Sequence, residues 1–213
     1  MSSATTLGAL DASFGQIEST AGSEMFSVWR STMRLLMRGE PVDVAEVASL
    51  SGLETTLVRR LLSALRDTEY DDRGRIVGLG LTLRRTAHRF EVEGRALYTW
   101  CALDTLIFPA VLGASARVTS TCYATGAPIQ LEVGPEGLSG LAPECTVVSL
   151  VVPSDMASVR SAFCSQVHFF ASREAAAAWL SEHPTASVVT VAEAYGIGLA
   201  LAKARFAASP RCC

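Results

Sequence analysis

The hydrophobic period changes partway along this chain, and that change limits the fold more than any other feature of the sequence. Early on, apolar residues recur at helical spacing: Phe26, Trp29, Met33, Leu36 and Met37, then Leu53, Leu57, Leu61, Leu62 and Leu65. From Ala116 to Val133 they alternate instead, with a break at Thr125-Gly126-Ala127-Pro128 that reads as a hairpin turn. Helices followed by alternating strands predict an α+β protein with a mixed, mostly antiparallel sheet.

Punctuation refines the reading. Gly39 is a helix stop and Pro41 a fresh start. Val42, Val44, Val47 and Leu50 lead into the turn signal Ser51-Gly52. Asp71-Asp72-Arg73-Gly74 reads as a hairpin turn, with Ile76 to Leu83 as the strand after it. Helix, short helix, turn, helix, hairpin is the order of a winged helix-turn-helix. Residues 1–22 are then a flexible arm or short helix, 23–83 a winged-helix-like domain, and 84–213 an α+β domain ending in a Cys-Cys tail. Within the last, Phe90 and Val92 mark a strand, and 94–108 a helix that stops near Phe108-Pro109. Thr146 to Val152 is a buried strand, and Asp155 to Phe163 a helix with Ser154 as its N-cap after Pro153. Val167 to Phe170 reads as strand, Glu174 to Leu180 as helix, and Val188 to Ala208 as strand then helix.

Composition excludes several classes. At 213 residues with 49% apolar and 18% charged side chains, the chain can build a sizeable core, which rules out wholesale disorder. The net charge of −3 is not that of a protein living on a phosphate backbone. Arg59, Arg60 and Arg66 on the second helix are flanked by Glu46, Glu54, Asp67 and Glu69, so that helix reads as scaffold rather than DNA reader. The best membrane candidate, Leu103 to Ala116, contains Asp104 and Pro109 and falls short of the roughly 18 apolar residues a span needs. The N-terminus lacks a basic segment followed by an apolar core, so a cytoplasmic location is expected.

Six cysteines are where chemistry should lie: Cys101, Cys122, Cys145, Cys164, Cys212 and Cys213. Without a secretory signal they do not read as a disulfide framework. No C-x-x-C occurs, which argues against a structural zinc site. Cys101 and Asp104 stand three apart on the expected helix, amid Leu103, Leu106, Ile107 and Phe108. They share a face, and an apolar setting raises a carboxyl's pKa. Taken alone, Cys101 reads rather as a buried structural cysteine. Cys164 precedes His168 by four, but the apolar run around His168 looks like strand, so His168 reads as a core histidine. Cys122, on one strand face with Val118 and Ser120, and Cys145 both read as structural. For Cys212 and Cys213 two readings stand: an idle tail, or a dithiol that passes on a soft metal.

Three blocks carry a resemblance. They are Leu97 to Pro109 (LYTWCALDTLIFP), Ala116 to Ser120 with Cys122 and Ala124 to Pro128, and Phe163-Cys164 with Val167 to Ser172. In this order they resemble the organomercurial (alkylmercury) lyase family of bacterial mercury resistance. The similarity reaches back through Tyr70-Asp71, Gly80 to Leu83 and Phe90-Glu91, and forward to Trp179 and Glu193-Ala194, covering about residues 25–200. The resemblance implies a cytoplasmic enzyme that splits carbon–mercury bonds by protonolysis. It places the catalytic and mercury-binding positions at Cys101, Asp104 and Cys164, and a structural cysteine at Cys122. It implies a winged-helix-like part that does not read DNA. It also implies no cofactor beyond an external thiol, an organomercurial substrate, and Hg(II) as a bound product handed to mercuric reductase or cellular thiols. Some members carry a second cysteine directly after the catalytic one; here Ser165 stands there. Cys212-Cys213 lies outside the pattern.

The residue types suit that chemistry. Mercury prefers soft thiolate ligands. A second thiolate makes carbon a better leaving group, and a protonated carboxyl delivers the proton to it as a general acid. Trp100 reads as a partly exposed core contact. Two rival classes remain: a metal-responsive winged-helix regulator, and a protein that sequesters mercury without turnover.

Overall fold

The computed structural model describes Gly8 and residues 22–152 and 158–206. The arm predicted over 1–22 lies almost wholly outside the described residues, as do Pro153, Ser154, Cys212 and Cys213. Helix α1 occupies residues 22–36, and the chain turns at Gly39 with φ +77°. Helix α2 (Val44–Ser51) starts in a capping box between Asp43 and Glu46 and ends at Gly52 in the left-handed conformation. Helix α3 (Thr55–Ala64) buries Val58 and Leu62 and exposes Arg59 and Arg60.

Eight strands form one sheet: β1 (Glu69–Tyr70), β2 (Ile76–Leu79), β3 (Leu81–Thr82), β4 (His88–Val92), β5 (Arg95–Thr99), β6 (Ala116–Thr121), β7 (Pro128–Gly134) and β8 (Gly137–Ala142). Their order is β1-β2-β3-β5-β4-β6-β7-β8. A second sheet runs β10 (Phe169–Phe170), β9 (Val147–Leu150), β11 (Ser187–Thr190). Every pairing in both is antiparallel. The α+β reading with an antiparallel sheet is therefore what the chain adopts. The first sheet includes β1–β3 and β4–β8 alike, so it runs without a break past residue 83. One apolar cluster joins both parts, with Met33, Leu36, Ile76, Leu81, Phe90, Leu97, Leu103 and Leu106 fully buried. Among the described residues no helix is long and apolar enough to cross a membrane.

Three predicted elements need correction. The strand over Ile76–Leu83 is two strands folded about Gly80, whose φ of +91° reverses the chain. A Cβ there would lie 2.9 Å from the Phe108 ring. The helix predicted over 94–108 is instead strand β5 followed by helix α4 (Ala102–Leu112). Glu93 and Gly94, both at positive φ, form the two-residue turn that pairs β5 with β4. Helix α4 also runs through Pro109 to Gly113 instead of stopping, because Phe108, Pro109, Val111 and Leu112 are all buried. Burial outweighs the lost backbone bond. The helix predicted to start at Asp155 is described only as α5 (Val159–Ala162), with Ser158 as N-cap. Strand β8 went unread. Helices α6 (Ala177–Glu182) and α7 (Val191–Phe206) complete the described residues. Helix α7 crosses α4 closely at Gly198, where a Cβ would lie 2.7 Å from Ile107 Cγ1.

Candidate active site

The site forms where β5 hands over to α4. Trp100 N–H donates to Gly80 O (3.1 Å), and Thr99 Oγ1 donates to Cys101 O (3.0 Å). Cys101 is the extended N-cap of α4 and Asp104 is the third helical residue. The two close a capping box: the Cys101 sulfur faces the Asp104 amide, and Cys101 N–H donates to Asp104 Oδ2 (3.2 Å). A cysteine thus fills the position usually given to Ser or Thr. The predicted proximity of Cys101 and Asp104 holds, but through a helix cap rather than a shared helix face.

Cys164 arrives from far along the chain. It opens a 3₁₀ turn (Cys164–Gln166) directly after α5, and Ala102 N–H donates to Val167 O (3.1 Å), tying that turn to the start of α4. The Cys101 and Cys164 sulfurs and an Asp104 carboxylate oxygen all lie within 4.8 Å of one another. Cys101 is 0% exposed and Cys164 4%.

Burial sets the electrostatics. It is the main force raising the Asp104 carboxyl to about 7, against the Cys101 thiol beside it and the hydrogen bond from the Cys101 amide. Burial likewise pushes the Cys101 thiol well up, helped by the hydrogen bond it donates to Cys164 and by the Asp104 charge. At Cys164 that hydrogen bond from Cys101 is the largest influence and pulls downward. Burial and the Asp104 and Asp67 carboxylates outweigh it, so the net shift is upward. Two thiols therefore keep their protons beside a carboxyl that titrates near neutrality.

Trp100 is half-buried against the core, as read from sequence, and the Arg160 guanidinium lies over its ring, 5.0 Å from the centroid. Its buried indole N–H has no hydrogen-bond partner among the described residues. His168 does not join the site. It stacks on Tyr123 (centroids 3.9 Å apart), and burial holds its pKa near 4. Cys122 is buried just past β6; burial pushes its thiol up, but hydrogen bonds from the Thr125 side chain and nearby amides leave it lowered. Cys145 is exposed, its thiol donating to Ala171 O (3.3 Å). Three residues around the site have no site role in the sequence reading: Arg160, and Asp67 and Glu69, which figure there only as acidic neighbours of the second helix. The first carried a signal, since Arg160 stands four residues before Cys164. The carboxylates meet Arg160 across more than 90 positions, with no local trace.

The alkylmercury lyase family matches residues 81–203, and the helix-turn-helix domain of alkylmercury lyase matches residues 9–80. An alkylmercury lyase of Streptomyces lividans is 51% identical over 188 residues, 87% of this chain and 87% of the relative. One of Pseudomonas putida is 48% identical, covering 82% of each, and one of Bacillus cereus 45%, covering 83% and 81%. The crystal structure of the mercury-bound form of MerB2 superposes with a TM-score of 0.77 at 28% identity, covering 92% of this chain and 98% of that one. With a thiol pair and a carboxyl gathered in a fold shared with a mercury-bound protein, and with matches running nearly end to end, this chain belongs to the alkylmercury lyase family.

Proposed function

We propose that the chain cleaves carbon–mercury bonds by protonolysis, with Cys101 and Cys164 binding mercury and Asp104 moving the proton. The observation that carries this is the closeness of two protonated thiols to a carboxyl of pKa about 7. The organomercurial arrives as a mercury thiolate of a small thiol. One cysteine displaces that thiol, and its proton leaves with it. The second cysteine bonds to mercury and gives its proton to the Asp104 carboxylate. Asp104 then delivers that proton to carbon as the carbon–mercury bond breaks. The products are a hydrocarbon and Hg(II) held by two thiolates, and Asp104 returns to its starting state. A carboxyl near neutrality suits both halves of that relay, because efficient proton transfer favours a pKa near the working pH. Holding the three groups together supplies the proximity advantage.

In this reading no resident cofactor takes part, and external thiol frees the enzyme for the next turnover. Hg(II) passes on to mercuric reductase or to cellular thiols, which places the protein in the cytoplasm. The helix-turn-helix part acts as scaffold.

The test is headspace gas chromatography of the purified protein with phenylmercuric acetate and excess small thiol. Benzene should form over many turnovers and be lost in Cys101→Ser and in Cys164→Ser. Full activity in Cys101→Ser would overturn the mechanism.

A further inference from the structure

After Cys164 the chain is tied down, with Ala102 N–H donating to Val167 O (3.1 Å), Ser149 Oγ donating to Gln166 O (2.9 Å) and Val167 buried; before it, the segment has little of its own to hold it. Helix α5 is four residues long and none of them is buried. A helix so short is not stable by itself. Yet Cys164, two residues past its end, must stay within reach of Cys101 and Asp104.

What holds the α5 side comes from the helix-turn-helix part. Ser158 Oγ–H donates to Asp67 Oδ1 (2.7 Å), and Arg160 N–H donates to Asp67 Oδ2 (3.1 Å). One carboxylate therefore grips both the N-cap and the first turn of α5. Glu69, 7% exposed, forms a salt bridge with the Arg160 guanidinium, and its other oxygen accepts from the Thr82 hydroxyl. Gly78 leaves room for this: a Cβ there would lie 2.6 Å from Thr82 Oγ1 and clash with the Glu69 carboxylate. Arg160 in turn rests on Trp100, the residue before Cys101. Charge-assisted hydrogen bonds of this kind are the strong ones, and a carboxylate so well enclosed is costly to leave unpaired.

We infer that Asp67 and Glu69 are positioning residues for Cys164: they dock α5 so that its sulfur stays beside Cys101 and Asp104. This rests on the proposed role of Cys164 as a mercury ligand. The helix-turn-helix part then serves catalysis by holding one jaw of the thiol pair.

The experiment uses the full chain with Asp67→Ala and Glu69→Gln. Iodoacetamide labelling of each cysteine is followed by peptide mass spectrometry, beside kcat and KM for phenylmercury with excess thiol. Cys164 should label about tenfold faster or more, the scale of one lost charge-assisted hydrogen bond. Cys101 and Cys122 should stay within about twofold, and kcat should fall with little change in KM. General loosening would instead speed all three buried thiols together, and that result overturns the inference. So does unchanged Cys164 labelling in both variants, or faster labelling with unchanged kcat. Asp67→Asn, which keeps one acceptor, should lie between wild type and Asp67→Ala. If Asp67→Ala fails to fold, Ser158→Ala and Glu69→Gln carry the same readout. A wild-type chain that makes no benzene would refute the proposed function, while the labelling pattern would still decide whether the clamp exists.

Discussion

Asp104 is protonated below about pH 7 and ionised above it, because burial disfavours its charge. Two outcomes follow at the scale of this residue. Enzyme preloaded with phenylmercury should cleave faster in a single turnover as pH rises through about 7, since the carboxylate that takes the second thiol's proton is populated there. Asp104→Asn should lose about 10²–10⁴ of that rate and the pH step with it, while still capturing mercury. Rapid-quench benzene release measures both. The second outcome concerns stability. A raised carboxyl pKa costs the folded state nothing below the unfolded value near 4. The cost grows as pH rises from there to about 7, and is constant above. Asp104→Asn should therefore melt higher than wild type at pH 8, the gap closing toward pH 4; thermal unfolding across pH checks the sign. Cys101 and Asp104 were legible as a pair because they stand three positions apart, and either a helix face or a helix cap brings such residues together. The carboxylates facing Arg160 were not legible, since a contact across 91 residues leaves no mark on local pattern.

At the scale of elements, α4 and α7 set the frame on which the site rests. Their approach depends on Gly198, where a Cβ would press on Ile107, while Gly196 faces open space. Gly198→Leu should cost about 1–3 kcal/mol by forcing the helices apart. Gly196→Ala should gain up to about 1 kcal/mol from helix propensity alone. Urea unfolding of the two variants gives opposite signs if the packing is as described. Strand β5 and helix α4 show where periodicity misleads. Residues 95–112 are apolar almost throughout, so neither a period of two nor one of 3.6 stands out, and strand β5 merged with helix α4 in the sequence reading. Pro109 signalled a stop that burial overrode. By contrast β6 and β7 were readable, since one face is buried and the other exposed, residue by residue.

For the whole molecule, a ligand that binds only the folded site must stabilise it. Hg(II) at a hundredfold over its dissociation constant adds about 2.7 kcal/mol by mass action. A thermal shift should therefore appear in wild type and be lost in both Cys101→Ser and Cys164→Ser, because each variant removes one of the two sulfurs that hold the metal. With a net charge of −3, and with exposed Arg59, Arg60 and Arg66 flanked by acidic residues such as the exposed Glu54, a gel shift at physiological salt should show no sequence-specific DNA binding. The sequence by itself determined the α+β class, the helix-turn-helix start and the Cys101–Asp104 pair. Hydrophobic period and short spacings are local, and local pattern survives in a linear string. Cys164 entered the site through the family resemblance; only the tertiary structure decided how its sulfur is brought beside that pair, that Asp67 and Glu69 grip its segment, and that the Asp104 carboxyl sits near 7. Each of those depends on which distant surfaces close over one another and exclude water, and that is settled only when the elements pack.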